Sequence, residues 1–356
     1  MCIKKWRAER HWEEFANALQ LYSDRYTLKI ANVQLPSEVL DLLAPALKVK
    51  QITEFRLERN EFVNNEGNKF TIECIKHNNE LKHVEWVNNQ IDNKKDAMLL
   101  VDSIIDNPSI DSVRIKNCLG GEHNINSYEV VRPIFATDRI WDQLDFEGNN
   151  IQTQGHTEIP DYIASNPPLN ALYLAGNKLN DNDAILIARA LKQNNHLKQI
   201  RLDDNDITET GYNTLCNSFY DFTSLNSISD CNHTCHVEDI RLCRCSSFEN
   251  SSRRPIKETR ARKIYYTLST WNEEGSNVQH LNSEFDDEDD ADSLKVVPQV
   301  LAAIQHYHDE YNHGKRYKRD NDAHKRVHCP QPHHPLSITY EVLRGWKLPE
   351  LFEKWS

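Results

Sequence analysis

One pattern of apolar and polar positions occurs twice in the middle of the chain, at residues 169–179 and 197–207. In each copy, apolar residues occupy the first, fourth, sixth and eleventh positions, and an asparagine occupies the ninth. The copies begin 28 residues apart, and recurrence at a fixed spacing predicts a repeat architecture. Between them, residues 181–183 suit a helix N-terminus, and apolar residues recur at helical spacing at Ala184, Ile187, Ala188 and Leu191. Each unit is therefore predicted to contain a short strand, an asparagine turn and an amphipathic helix.

The same template extends in both directions along the chain. It predicts eight units, spaced 27 to 31 residues apart, which begin at Arg25, Ile52, Leu81, Ile110, Trp141, Leu169, Leu197 and Leu225. The strand residues expected to point into the core are Leu28 and Ile30, Phe55 and Leu57, Val84 and Trp86, Val113 and Ile115, Leu144 and Phe146, Leu172 and Leu174, and Ile200 and Leu202. The turn position is occupied by Val33, Asn60, Asn89, Cys118, Asn149, Asn177 and Asn205. Because one short strand cannot bury its inward side chains alone, we expect stacked units to share one core beneath a parallel sheet. The asparagine amides are expected to satisfy backbone groups where the chain leaves the sheet.

This pattern resembles the leucine-rich repeat, and units of this length with a full helix resemble its ribonuclease-inhibitor-like subclass. The resemblance implies an α/β solenoid, a horseshoe with a curved parallel sheet inside and helices outside. The family includes ribonuclease inhibitors and the activator of the small GTPase Ran. Residues 263–266, the acidic run 286–290 and the ending 346–351 make the chain similar to stand-alone repeat proteins of unicellular algae.

We expect three parts along the chain. Residues 1–24 are predicted to form an N-terminal helical cap, residues 25–236 the solenoid, and residues 237–356 a helical C-terminal region. The cap is needed because an end repeat would otherwise expose its core. Its apolar face comprises Trp12, Phe15, Ala16 and Leu19. The eighth unit, from Leu225, is predicted to be a decayed strand, since Asp230 occupies an inward position.

Beyond the repeats the expected elements are helical. One helix is predicted to begin at Pro255 and to contain Ile256, Ile264 and Leu268. A second is predicted around Pro298, marked by Leu294, Val297, Leu301 and Ile304. A mobile loop is expected at 306–335, which is rich in His, Lys and Arg, followed by two short helices within 338–352. The basic segments 253–263 and 315–319 suit either a nuclear import signal or an ordinary solvated surface.

Composition limits the class of protein. A net charge of −12 argues against a general nucleic-acid binder, which needs a basic surface to displace counterions. The first ten residues have no apolar signal segment and no run of 18 apolar residues occurs, so we expect a soluble intracellular protein without a membrane partner. Nine scattered cysteines then predict reduced thiols, in the cytoplasm or alternatively the nucleus.

Motifs typical of enzymes are missing from the sequence. It has no G-x-S-x-G, no glycine-rich phosphate loop and no H-E-x-x-H. We therefore predict no catalytic residue and no cofactor. A cluster of Cys231, His233, Cys235, His236, Cys243 and Cys245 could in principle bind zinc. We predict no metal, because no C-x-x-C pair occurs and residues 231–236 fall where the last strand and turn are expected.

The outward strand residues form the candidate binding surface, on the concave face that the resemblance implies. The predicted protein-binding residues are Arg56, Glu58, Glu85, Arg114, Asp145, Tyr173, Arg201 and Asp203. Alternating charges suit a protein partner with a complementary pattern, whose identity the sequence leaves open.

Three alternatives stay open at this point. The charged side chains of adjacent strands could pair with one another and leave no site. The acidic run 286–290 could fold back onto Arg56, Arg114 and Arg201, in which case deletion of residues 272–293 should expose the face. The resemblance to the Ran activator makes a GTPase activator the rival function, although the sequence identifies no residue for that role.

The predicted register can be tested by truncating one inward residue. Leu172→Ala is expected to lower the free energy of unfolding by about 2 to 5 kcal/mol, as large-to-small changes in a core do. Urea denaturation measures this change. A loss below about 0.5 kcal/mol, the range of neutral surface substitutions, would show that the register is wrong.

Overall fold

The computed structural model describes residues 2–3, 11–21, 24–48, 52–63, 65–119, 127–238, 256–273, 275, 279–280 and 297–312. The chain divides into two compact units. The first comprises Met1–Gly211 with Val237–Asp239, and the second comprises Tyr212–His236 with Ile240–Ser356. The boundaries between the cap, the solenoid and the C-terminal region, expected after residues 24 and 236, stay predictions.

The first unit is an α/β repeat solenoid built on one large sheet. Among the described residues its strands are, in spatial order, β1 (Cys2–Ile3), β2 (Tyr26–Ala31), β4 (Ile52–Glu58), β6 (His83–Val87), β7 (Ser112–Lys116), β8 (Gln143–Asp145), β9 (Ala171–Tyr173), β10 (Gln199–Arg201) and β11 (His236–Glu238). Every pairing from β1 to β10 is parallel. A second parallel sheet of two short strands joins β3 (Gln34–Leu35) and β5 (Glu61–Phe62) where the first two repeats leave the main sheet.

Helices connect the successive strands, because parallel neighbours require a crossover connection. They are α1 (Trp12–Leu21), α2 (Ser37–Lys48), α3 (Glu66–His77), α4 (Lys94–Asp106), α5 (Ser127–Phe135), α6 (Glu158–Ala164), α7 (Asp181–Gln193) and α8 (Glu209–Phe219). The predicted face of α7 is buried, and Asn180 begins this helix with a reciprocal capping box to Asp183. In α1, Trp12, Ala16 and Leu19 are buried as expected, whereas Phe15 is only partly buried.

The predicted core register is confirmed. Every inward pair predicted from the sequence is buried. The first members of these pairs are successive partners across the sheet, from Leu28 through Phe55, Val84, Val113, Leu144 and Leu172 to Ile200. One continuous apolar layer therefore lies between the sheet and the helices.

The turn asparagines form a ladder that joins each repeat to the preceding one. Oδ1 of Asn177 accepts hydrogen bonds from the backbone N–H groups of Asn149 and Ile151, both at 3.0 Å, and its Nδ2 donates to the carbonyl of Phe146 at 3.0 Å. Equivalent bonds to the preceding repeat are made by Asn60, Asn89, Asn149 and Asn205. Val33 and Cys118 replace the asparagine at two turns, and at the second of these Sγ of Cys118 donates to the carbonyl of Trp86 at 3.0 Å.

A left-handed residue precedes each ladder position. These residues are Asn32, Arg59, Asn88, Asn117, Gly148, Gly176 and Asp204, with φ between 50° and 68°. Most are Asn, Asp or Gly, the residue types that tolerate this conformation. At Gly148 a side chain is also excluded by space, since a Cβ atom would lie 1.7 Å from Oδ1 of Asn117. The turn therefore depends on two adjacent positions.

A second ladder, which the sequence template missed, lies at the C-terminal ends of the helices. Nδ2 of Asn107 donates to the carbonyls of Ile75 and Asn78, and Nδ2 of Asn194 donates to that of Ile163. The signal is an asparagine three residues before a predicted unit start, at Asn78, Asn107, Asn166 and Asn194. In the fifth repeat Arg139 serves instead, and its guanidinium donates to the carbonyls of Ile104, Ile105 and Ile110.

The second unit contains the short helix α9 (Leu225–Ser229) and the helices α10 (Ile256–Glu273) and α11 (Val297–Asn312). Its core comprises Leu225, Ile228, Ile264, Tyr265, Leu268, Trp271, Val300, Ala303 and Ile304. Lys263, on the basic helix, is also buried. Its Nζ donates to the carbonyls of Phe219 and Asn232, at 2.9 and 2.7 Å, and lies 4.6 Å from the centre of the Tyr220 ring.

Two expectations for this region were wrong. The eighth predicted strand is the helix α9, because Ser224 caps it by accepting from the N–H of Ser227, and Leu225 and Ile228 are buried at helical spacing. Ile256 and Leu301 lie in helices as expected, and their side chains are 39% and 44% exposed. Residues 306–312 are helical rather than part of the expected loop, since α11 extends to Asn312. The acidic run 286–290, residues 313–335 and the helices expected within 338–352 lie outside the described residues.

The ladder predicts an unusual sensitivity at buried asparagine. Asn177→Ala should lower the free energy of unfolding by about 3 kcal/mol or more, because several buried backbone groups lose their partner at about 1 to 3 kcal/mol each. Asn182→Ala is the matched control, since that side chain is exposed on the first turn of α7. Urea denaturation of both variants measures the difference, and equal losses would show that the ladder contributes little.

Candidate functional site

The candidate site lies on the face of the main sheet opposite the apolar layer. An open trough of about 520 Å³ runs across this face, from β2 to β10. Its lining, called the trough below, comprises Lys29, Arg56, Glu58, Arg59, Glu85, Val87, Asn88, Arg114, Lys116, Asp145, Glu147, Tyr173, Gln199 and Arg201. The structure thus brings together all the predicted site residues except Asp203, which contacts Arg201 beside the trough.

The alternation of the strands determines this arrangement. Successive side chains of a strand point to opposite faces, so the residues between the buried positions form the outer surface. Lys29, Arg56, Glu85, Arg114, Asp145, Tyr173 and Arg201 are accordingly partners across successive strands. The same apolar columns that form the core therefore align the charged columns. Ser229 and Cys231, the next residues expected in these columns, lie instead at the end of α9 and just after it.

The first charged column forms a chain of ion pairs across the strands. Glu85 is its centre, with Oε1 lying 3.5 Å from Nη1 of Arg56, 3.2 Å from Nη1 of Arg114 and 2.7 Å from Nε2 of His83. Nε of Arg114 also donates to Oδ2 of Asp145 at 2.7 Å. The other ring nitrogen of His83 lies 2.6 Å from Oγ of Ser112. These contacts join four adjacent strands.

The second charged column is paired in the same way. Glu147 accepts from Nζ of Lys116 and from Nη1 of Arg201, the latter at 2.7 Å. Arg201 lies on β10 and reaches Glu147 across β9, the strand between β8 and β10 in the sheet. At the other end, Nζ of Lys29 lies 2.6 Å from Oε2 of Glu58. The cross-strand pairing that the sequence left as an alternative is therefore present, and the use of this face in binding stays a prediction.

The two buried carboxylates of the first column titrate in opposite directions. Burial favours a raised pKa for Glu85, but the hydrogen bond from His83 and the charges of Arg114 and Arg56 lower that pKa below its usual range. Burial is also the largest influence on Asp145, and with the charge of Glu147 it raises the pKa of Asp145 in spite of Arg114. Glu85 is thus held ionised, whereas Asp145 takes up a proton more readily than a solvated aspartate.

The cysteine and histidine cluster belongs to the second unit. Cys231, His233 and Cys235 are buried, and Nε2 of His233 donates to the carbonyl of Ser229 at 3.2 Å. Among the residues that the structure describes, no group of three or more His, Cys, Asp or Glu side chains could hold a metal ion. Cys243 and Cys245 lie outside those residues, so the prediction about zinc is not tested for the full cluster.

Within the described ranges, every helix is too short or too polar to cross a bilayer.

Comparison with known proteins identifies no family for this chain. No protein-family model matches the chain, and no curated protein matches it either. Among solved structures it is similar to the crystal structure of a Bacteroides fragilis protein that was a structural-genomics target. The identity is 13% and the TM-score is 0.37, and the match covers 52% of this chain and 62% of that one. The assignment of the repeat fold therefore rests on the strand order, the register and the buried apolar columns of this chain.

His233 predicts an acid-sensitive second unit. Burial and the charge of Lys263 lower the pKa of His233 from 6.5 to about 3. As the pH falls below 6.5, the unfolded chain binds a proton at this residue that the folded chain does not, so stability falls. The loss from this residue should reach roughly 2 kcal/mol by pH 5.

His233→Gln isolates this effect, because a Gln amide can still donate to Ser229 but does not titrate. We expect the loss of stability between pH 7 and pH 5, measured by urea denaturation, to shrink by roughly 2 kcal/mol in this variant. The exposed His196→Gln serves as the control. An unchanged loss in His233→Gln would mean that His233 is not the acid-sensitive group.

Proposed function

We propose that the protein is a non-enzymatic interaction module that binds a protein partner through the trough. The observation that supports the proposal is an open surface of about 520 Å³ to which the strands from β2 to β10 contribute aligned charged side chains. The resemblance of the repeat motif to ribonuclease-inhibitor-like leucine-rich repeats is consistent with this use, since it implies a concave sheet face open to a partner. A cytoplasmic location, with reduced thiols, belongs to the same proposal.

The ion pairs support binding because they hold the charged side chains in place before a partner arrives. A long side chain loses roughly 0.5 to 1.5 kcal/mol of entropy when an interface immobilises it. In the trough, Arg114 and Arg201 each contact two carboxylates and are already restrained. A fixed arrangement of charges selects among partners and speeds their association more than it adds to affinity.

Tyr173 supplies the aromatic contact that such surfaces commonly use. Its hydroxyl donates to Oε1 of Gln199 at 2.9 Å, and this bond ties the side chain at the end of β9 to the neighbouring strand β10. Tyr and Arg are enriched among the residues that dominate binding energy at protein interfaces. The trough therefore combines an anchored ring with restrained charges.

A test of this proposal must leave the ion pairs intact. Arg114 and Arg201 cover Glu85, Asp145 and Glu147, whose side chains are less than 10% exposed. Replacing either arginine by alanine would leave a buried carboxylate without its partner, a change that commonly costs several kcal/mol. A bulky neutral side chain at Val87, which lines the trough on β6, obstructs the surface without this effect.

Val87→Trp is therefore expected to abolish binding of the physiological partner while the fold is retained, because strands tolerate tryptophan. The experiment is affinity capture from the source cell with the full chain, followed by titration of each captured protein against the purified variants. Leu99→Trp is the matched control, since Leu99 is exposed on helix α4. Capture of the same proteins by wild type and Val87→Trp would contradict the proposal and direct attention to the helices or the C-terminal region.

A further inference from the structure

The charge of the trough differs from that of the chain as a whole. Its lining contains six cationic side chains, Lys29, Arg56, Arg59, Arg114, Lys116 and Arg201, against four carboxylates, Glu58, Glu85, Asp145 and Glu147. The difference, six minus four, is +2 in a chain whose net charge is −12. This local excess of positive charge requires an explanation.

The two signs also lie at different depths. The cationic side chains are between 29% and 62% exposed, whereas those of Glu85, Asp145 and Glu147 are 8%, 3% and 7% exposed. The carboxylates therefore lie beneath, and the guanidinium and ammonium groups form the layer that faces solvent. The alternating columns read from the sequence suggest a mixed surface, but the surface that a partner meets is mainly cationic.

The more exposed carboxylates lie at the margins. Glu58 is 26% exposed and lies against Lys29. Glu54 and Asp203, which do not line the trough, are 35% and 19% exposed and contact Arg56 and Arg201. These three carboxylates offset positive charge at the edges of the cationic surface and leave its centre uncovered.

We infer that the trough recognises an acidic segment of its partner, a stretch of peptide with several Asp or Glu carboxylates. This inference rests on the proposed function. An arginine has five N–H donors in a planar fork, so a guanidinium that contacts a carboxylate below can still donate to another one above. Bonds of this charge-assisted kind are the stronger ones at interfaces.

Arg59 is the residue that points most directly to an anionic partner. Its backbone is in the left-handed conformation, with φ of 50°, at a turn position that is Asn, Gly or Asp in the other repeats. Strained conformations of this kind cost free energy and commonly mark functional sites. Its side chain is 62% exposed, and its contact with Glu58 is long, at 3.8 Å. A role toward a partner carboxylate accounts for an arginine here.

A peptide fits this surface better than a nucleic acid does. The buried carboxylates reduce the excess charge of the trough to +2, and the chain as a whole repels a polyanion over long distances. Nucleic-acid binding requires the neutralisation of many phosphates along an extended basic surface. A short acidic segment needs only a few arginine contacts.

The test measures binding of three fluorescein-labelled probes to the full chain by fluorescence anisotropy. The probes are a ten-residue glutamate peptide, a ten-residue lysine peptide and a ten-nucleotide thymidine strand. We expect the glutamate peptide to bind best. The double variant Lys29→Gln, Arg59→Gln should weaken its binding at least tenfold. The matched double variant Lys69→Gln, Lys76→Gln, which removes the same charge from exposed positions on α3, should change it less than twofold.

Several outcomes would overturn the inference. Stronger binding of the lysine peptide or of the thymidine strand would assign the trough to another class of ligand. Equal weakening by the two double variants would show that only net charge matters. If Val87→Trp abolishes binding of a physiological partner and the double variant Lys29→Gln, Arg59→Gln leaves that binding unchanged, the proposed function stands and the inference of an acidic segment is wrong. A physiological partner whose binding is unchanged by Val87→Trp and by the double variant would contradict the proposed function and the inference of an acidic segment.

Arg59→Asn separates a binding role from a structural one. Asparagine tolerates the left-handed turn better than arginine does, so this variant should unfold at a higher urea concentration than wild type. Its affinity for the glutamate peptide should fall severalfold. A lower urea midpoint would show that Arg59 stabilises the fold and would remove its assigned role.

Discussion

The satisfaction of the backbone at each turn is the constraint on which the rest of this fold depends. Where the chain leaves the sheet, several N–H and carbonyl groups are buried without a strand partner, and leaving them unmet would be costly. The asparagine ladder meets this need by reaching back one repeat, as Asn177 does toward Asn149 and Phe146. The left-handed residue before each asparagine turns the chain so that the amide can do so. The stacking of repeats and the parallel register follow from these bonds.

The core and the candidate site are two results of one alternation. Because Leu172 and Leu174 point inward, Tyr173 between them points outward, and the same alternation places Arg56, Glu85 and Arg114 on the outer face. A register that buries leucine and isoleucine columns also brings Arg114 beside Glu85 and Asp145. The trough is therefore formed by the sheet itself, and its ion pairs join side chains that the register already places on adjacent strands.

Much of this could be predicted from the sequence, since the positions of Leu172, Asn177 and their equivalents recur at visible spacings. The columns on the outer face followed from the same register. The C-terminal limit of the repeats could not be read so well, because Leu225 and Ile228 fit a poor strand or a short helix, and the cap of Ser224 decides for the helix. The second ladder had a signal, an asparagine three residues before a unit start, which the template did not include. The sequence carries no signal for the depth of each charge. Exposure depends on the way in which the long side chains of adjacent strands lie over one another.

That difference in depth changes what the ion pairs mean for function. A cross-strand pair between two equally exposed groups presents a neutral surface, and a partner would gain little from either member. In the trough the side chains of Asp145 and Glu147 are shorter than those of the cations and stay close to the sheet, beneath Arg114 and Lys116. Their charge therefore acts mainly on these cations. The carboxylates restrain those cations and reduce their mutual repulsion, which allows six of them to share one surface. Pairing and binding are thus compatible on this face, because the buried member of each pair supports the exposed one.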